Sequence, residues 1–300
     1  MKAIKRRIKS VGSTMQITKA MELVASSKLR HAKQRAQKAF PYFEAQERML
    51  AELSRTQQFE SAFTQSREDC ESLHIVIAGD RGLAGGYNSN VFKLVALDHA
   101  NTQSKPKIIA IGRKSVEYFE KRGYDVPVKQ IGMAENVKPG QCSGIADAVV
   151  SLFLSGQIGE VKLFYTKFVS SMVQEAVCVP LLPLNVENVK QLGQTVRGDS
   201  SNSLESSEET GAKSTHREVN YDPNPEAVFN RIVPYFLAGI IQYAIADSYA
   251  SEQCARRIAM ESASDNAEEM IENLSLLYNR ARQEKITNEI NEIVGGANAL

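Results

Sequence analysis

The sequence predicts an α/β protein with long helices: an antiparallel coiled coil of the N- and C-terminal helices plus a Rossmann-like α/β domain. Three observations predict it. Residues 2 to about 57 carry an apolar stripe at alternating steps of four and three. The last sixth, 251–300, carries a second such stripe and has no Pro, and no Gly before Gly295. Between them, from about 70 to 184, short apolar runs alternate with helical patterns, as in a doubly wound sheet. The boundaries drawn are a coiled-coil helix over 1–60, an α/β domain over 70–197, a flexible polar loop over 198–220 and a coiled-coil helix over 221–300.

The N-terminal stripe runs from Ile4 through Ile8, Val11, Met15, Thr18, Glu22, Ala25, Leu29, Ala32, Ala36, Ala39, Phe43, Gln46 and Leu50 to Leu53. Thr18 and Glu22 break it, with Ile17, Met21 and Val24 beside them, so the stripe is expected to rotate there. Its many alanines let two helices approach closely. Pro41 is expected to kink the helix or start a new segment. About 55 helical residues span roughly 80 Å, whereas a compact chain of this length has a radius of gyration of about 19 Å. Such a helix must project, and its apolar stripe then needs a partner.

The α/β domain opens on Leu73–Ala78, a buried strand, and the turn Gly79-Asp80-Arg81-Gly82-Leu83-Ala84-Gly85-Gly86. A helix to about Asn101, a strand at Lys107–Ile111, a helix at Arg113–Arg122 and a short strand at Asp125–Val128 follow. A helix at Ser143–Ser155 and strands at Val161–Tyr165 and Ser171–Leu182 complete the sheet. Residues 198–216 are polar and Ser-rich and read as a loop. Tyr221-Asp222-Pro223-Asn224-Pro225 then starts the last helix. Its seam is Met260, Ala263, Ala267, Met270, Leu274, Leu277 and Ala281. The seam then slips to Ile286, Ile290, Ile293 and Ala297, which changes a supercoil locally. The only comparable helix is at the other end of the chain, and the two must return past each other.

Composition excludes several classes. A chain of 300 residues, 43% hydrophobic, can bury a core. Its four cysteines have neither paired nor metal-like spacing, so reduced thiols, no metal and no cofactor are expected. The basic start is not followed by an apolar stretch of the kind a signal peptide needs. The most apolar run, 232–246, is interrupted by Pro234 and Gln242 and is too short to cross a bilayer. Membrane association would be indirect. The net charge of +1 hides an asymmetry: residues 1–40 hold eleven Lys and Arg against one acid, Glu22. That stripe reads equally as a solvated face, a nucleic-acid contact or a contact with an acidic protein. The glycine turn lacks the Gly-x-Gly-x-x-Gly spacing, and no Lys-Ser/Thr follows it, so a structural turn is favoured over a nucleotide site. Asp80 and Arg81 are expected to pair locally or with a partner. No nucleophile–base constellation is evident.

Three stretches carry a family resemblance. Gln16-Ile17-Thr18-Lys19-Ala20-Met21-Glu22-Leu23-Val24-Ala25 resembles the N-terminal signature of the γ subunit of F-type ATP synthases. The turn at 79–86 is similar to that family's glycine turn, with Ala84 where many members have Cys. Ile286-Thr287-Asn288-Glu289-Ile290-Asn291-Glu292-Ile293-Val294-Gly295-Gly296-Ala297 resembles its C-terminal signature. The resemblance therefore covers the whole chain. It implies a non-catalytic rotor shaft, its coiled coil inside a ring of α and β subunits. The α/β domain is then a foot on the ε subunit and the membrane c ring, at the cytoplasmic side of the cell membrane, with no nucleic acid bound.

The same resemblance implies contact residues. Arg256, with Lys19 and Met21 nearby, is expected to meet an acidic loop of β; Arg282, Gln283 and Thr287 are expected to meet a polar catch loop higher on β. A chloroplast-type thiol switch is not expected, because no two cysteines lie close together in the sequence. The two rival readings are a nucleotide-binding α/β enzyme and a basic coiled-coil nucleic-acid-binding protein.

Overall fold

The computed structural model describes residues 1–56, 61–65, 67, 70–100, 105–184 and 221–297. The polar stretch 198–216 lies outside them. Helix α1 is Lys2–Thr56 and the last helix, here α5, is Pro225–Ala297. Between them come β1 (Glu71–Ile77), α2 (Tyr87–Ala100), β2 (Lys107–Ile111), α3 (Arg113–Glu120), β3 (Val128–Gln130), a 3-10 turn (Ala134–Asn136), α4 (Pro139–Leu154), β4 (Ile158–Phe168) and β5 (Gln174–Leu182). The chain forms two compact units. One comprises Met1–Ser27 with Arg256–Leu300, the other Lys28–Ala255.

In the larger unit the sheet order is β3-β2-β1-β4-β5, parallel except for β5. Every residue of β1 after Glu71 is buried, as expected for a parallel strand covered on both faces. Val91, Phe92 and Val95 of α2 and Val116 and Phe119 of α3 form one core cluster with Val76, Ile108, Ala110 and Phe164. β3 begins three residues later than the sequence suggested. Pro127 has no N–H to give the ladder, although Ile108 N–H already donates to the Asp125 carbonyl at 2.8 Å. α4 begins earlier, with Pro139 in the first turn, where a missing N–H costs nothing. β5 begins at Gln174 because Ser170–Val173 make the hairpin turn, with Ser170 Oγ accepting from Met172 N and Val173 N at 3.2 and 3.1 Å.

α1 and α5 also pack on each other here. Phe43 stacks on Phe236 and Tyr243, with ring centroids 5.9 and 6.0 Å apart. Pro41 does not end α1; the helix runs through it. The apolar stretch of α5 passes a length-and-composition test for a membrane-crossing helix, but 56% of that window is buried inside the protein. Phe229, Val233, Phe236, Leu237, Ile240 and Ile241 are core residues. Asn224 Oδ1 caps the start of α5, accepting from Ala227 N at 2.7 Å.

In the smaller unit the two helices are antiparallel. Thr18 Oγ1 and Ser264 Oγ lie 2.7 Å apart, and Gly12 faces Ile271. The α1 seam follows the expected positions without rotating. Thr18 is buried and keeps its place through Ser264, while Ile17, Leu23 and Val24 are exposed. The α5 seam differs from expectation. Ser264, Ile271 and Tyr278 turn inward, whereas Met270 and Leu277 are exposed. The continuation at Ile286, Ile290 and Ile293 has no partner among the described residues, and all three are exposed. The register explains it: with residue 12 opposite 271 and α1 starting at Lys2, α1 has run out by about residue 281 of α5.

Candidate shaft surface and foot anchor

In open α/β sheets ligands bind beyond the carboxyl ends of the strands where strand order reverses. Here that place lies between β1 and β4, beside the glycine turn, and α5 occupies it. Ser248 Oγ is 2.7 Å from Tyr87 Oη and accepts from Thr166 N at 3.3 Å. Asp247 Oδ2 accepts from Phe168 N at 3.0 Å. The Glu252 carboxyl packs so near Gly79 that a Cβ there would lie 3.0 Å from it. Cys254 Sγ donates to the Ser171 carbonyl at 3.2 Å. A binding crevice has become a helix seat.

The turn itself is held from within. Gly79 N donates to Asn88 Oδ1 at 2.8 Å. Asp80 accepts from Arg113 N, the first amide of α3, at 2.9 Å and from Gly132 N at 3.1 Å. The amides that would cradle a phosphate thus serve an internal carboxylate. Gly112 must be glycine: its φ is +93°, and a Cβ would lie 1.9 Å from the Ala78 carbonyl oxygen. Local pairing of Asp80 is as expected; Arg81 is exposed.

Part of the basic stripe of α1 fastens the helix to this unit. Lys28 Nζ lies 2.7 Å from Glu135 Oε1, and Arg35 donates to the Glu135 carbonyl. The Lys28 hydrogen bond holds the Glu135 carboxyl below its usual range, against the effect of burial. Lys33 Nζ rests 4.0 Å from the centre of the Phe168 ring. Lys2, Lys5, Arg6, Arg7, Lys9 and Lys19 are all exposed.

All six expected contact residues fall in the smaller unit. Lys19 is exposed and Met21 half-buried. Arg256 is only 8% exposed and is engaged within the chain. It is therefore also part of the chain's own packing. Arg282, Gln283 and Thr287 are fully on the surface, beyond the end of α1. Gln283 and Thr287, four apart, share a face. Ile17 and Val24, expected to take over the stripe where it rotates, are exposed instead, as is Leu23, on the same stretch of α1 as Lys19 and Met21. The seat residues Asp247, Ser248, Ser251 and Glu252 were missed. They follow directly on the most apolar stretch of the helix, 232–246.

The ATP synthase family model matches residues 1–300. A gamma chain of the ATP synthase of Ruminococcus albus is 50% identical over 296 residues, 98% of this chain and 96% of that one. The chain belongs to the ATP synthase gamma chain family. A sodium-ion-specific gamma chain from Acetobacterium woodii is 41% identical over 301 residues, 99% of this chain and 97% of that one. Among solved structures, a chain of the Euglena gracilis mitochondrial ATP synthase superposes with a TM-score of 0.66 at 18% identity, covering 99% of this chain and 93% of that one. That likeness concerns the fold. Members of this family are non-catalytic subunits, as expected for this chain. The family also displaces the nucleotide-enzyme and nucleic-acid readings, and α5 seated in the crevice is the physical counterpart of the first displacement.

Proposed function

We propose that this chain is the central rotary shaft of an F-type ATP synthase. It couples ion flow through the membrane c ring to ATP synthesis or hydrolysis at the β subunits. The coiled coil stands within the ring of α and β subunits, and the α/β foot meets the ε subunit and the c ring. The chain is thereby part of a membrane-bound complex, held peripherally on the cytoplasmic side through its partners. The observation that carries this reading is the state of α5. One end is locked into the foot through Asp247 and Ser248, and the other continues past α1 with Ile286, Ile290 and Ile293 exposed. A shaft needs both properties: a fixed grip where torque enters and an uncommitted surface where it is delivered.

Arg256, Lys19 and Met21 lie at one height and Arg282, Gln283 and Thr287 at another. Between Arg256 and Gln283 the rise is about 40 Å. The first group suits an acidic β loop and the second a polar catch loop. The direct test assembles the chain with α and β subunits and fixes a visible probe at Met172, 83% exposed at the hairpin tip. Rotation in one sense on adding ATP is expected. A stationary probe in a complex that still hydrolyses ATP would overturn the reading.

A further inference from the structure

A cleft of about 390 Å³ opens between α1, α5 and the end of β4. Its walls include Phe40, Phe168 and Tyr243, with Lys33, Gln37 and Asp247 as its polar lining. The volume falls within the range of small-molecule sites, and mostly apolar walls with few polar groups are their usual make-up. Asp247 is 6% exposed. Burial raises its pKa to about 7; the Phe168 N–H bond and the Lys167 charge act the other way without prevailing. The groups facing it are Lys33 from α1, Lys167 and the Tyr165 hydroxyl from β4, and Tyr243 on its own helix. The Lys33 ammonium lies on the Phe168 ring. A buried carboxyl in that condition gains from a further cationic donor, and the aromatic walls also favour a cation.

We propose that this cleft binds a small organic ammonium, its charged head on the Asp247 carboxylate and its apolar body against Phe40 and Tyr243. An organic anion is disfavoured, because it would set a second carboxylate beside the first. A neutral ligand of the same shape would lack the ionic contact.

Calorimetry on the full chain with benzylamine, benzyl alcohol and phenylacetate tests this. Benzylamine, protonated throughout, should bind saturably at about pH 8 and about tenfold more weakly at about pH 6, where Asp247 takes up its proton. Benzyl alcohol and phenylacetate should bind more weakly than benzylamine at about pH 8. Asp247→Asn should remove both the benzylamine preference and its pH dependence. Lys33→Gln, which leaves the buried group untouched, should tighten benzylamine binding by removing a neighbouring positive charge. The proposal fails if benzylamine does not saturate, if phenylacetate binds as well, if a folded Asp247→Asn chain binds it unchanged, or if Lys33→Gln weakens it.

Discussion

One helix lives in two surroundings. From Phe229 to Cys254, α5 is buried nearly all round, and even Ser248 and Ser251 are shielded from water. Beyond Ala281 every described side chain is exposed, although Ile286, Ile290 and Ile293 still recur at helical spacing. The sequence signal is the same at both ends: apolar residues asking for a partner. At the lower end the chain supplies that partner itself, through α1 and the foot. At the other end α1 has ended, and among the described residues nothing covers the apolar face.

The largest effect expected follows from that contrast. Phe236 is fully buried and stacked on Phe43, so Phe236→Ala should cost about 3–5 kcal/mol of unfolding free energy. Ile290 is 53% exposed, and Ile290→Ala should leave the free chain within about 0.5 kcal/mol of wild type. Urea unfolding of both variants makes the comparison. A clear loss in Ile290→Ala would mean that the upper end has a partner within the chain after all.

The buried end also makes stability depend on pH through two groups of opposite sign. Asp247 titrates at about 7 in the folded chain against an ordinary 3.8. The unfolded chain binds fewer protons there between those values, so this contribution falls as pH rises from about 4 to about 7. Burial lowers His74 from 6.5 to about 4, with Asp98 opposing the shift. The unfolded chain binds more protons at that group, so its contribution rises as pH rises from about 4 to about 6.5. At about 1.4 kcal/mol per unit the Asp247 contribution is about 4 kcal/mol and that of His74 about 3 kcal/mol, so the two slopes largely offset each other in wild type across the window. Asp247→Asn should expose the His74 slope, with unfolding midpoints rising from about pH 4 to about pH 6.5. A variant as level as wild type would show that Asp247 does not titrate there.

Much of this was legible beforehand, for identifiable reasons. A strict spacing of small and apolar residues marked the α1 seam from Ile4 to Leu53, except that the rotation expected at Thr18 and Glu22 does not occur. The alternation of apolar runs and helical patterns located each of the described strands, with β3 displaced by three residues. What was not legible depended on tertiary pairing. Thr18 looked like an error in the seam because its partner hydroxyl, on Ser264, is 246 positions away. Met270 and Leu277 fit the spacing as well as Ile271 and Tyr278; only the position of α1 decided between them. The seat of α5 was hidden because its polar residues come just after an apolar run, and hydrophobicity alone does not say that a hydroxyl will meet Tyr87 and Thr166. Arg256 was chosen by resemblance, and resemblance carried no information about its burial.

The Thr18–Ser264 contact sharpens the comparison on a smaller scale. It is a polar bond inside the paired part of the coiled coil, worth about 0.5–1.5 kcal/mol net. Thr18→Val keeps the shape and removes one hydroxyl of the pair, leaving Ser264 to its own bond with the Met260 carbonyl. A loss of about 1 kcal/mol is expected, with no change in the foot's own unfolding. Double substitution with Ser264→Ala should cost less than the sum of the two singles, since one bond cannot be lost twice. Additive losses would mean that the two hydroxyls do not bond.

The upper end of α5 should give the smallest effect on the chain and the one most informative about function. Gln283 and Thr287 are exposed where no α1 residue lies opposite. Gln283→Ala should therefore leave the melting of the free chain unchanged. If Gln283 makes the proposed contact with β, the change removes one neutral hydrogen bond from the assembled complex, about 0.5–1.5 kcal/mol. Since about 1.4 kcal/mol is tenfold in a rate, ATP hydrolysis should fall by roughly twofold to tenfold. Arg256→Ala is the control from the other kind of surface. Being buried and engaged within the chain, it should lower both the melting temperature of the free chain and the turnover of the complex. The split between chain and complex is the decisive reading. If Gln283→Ala and Thr287→Ala assemble normally and keep wild-type hydrolysis and ion pumping, the upper end does not deliver torque through these side chains. The exposed isoleucines would then be left as its working surface.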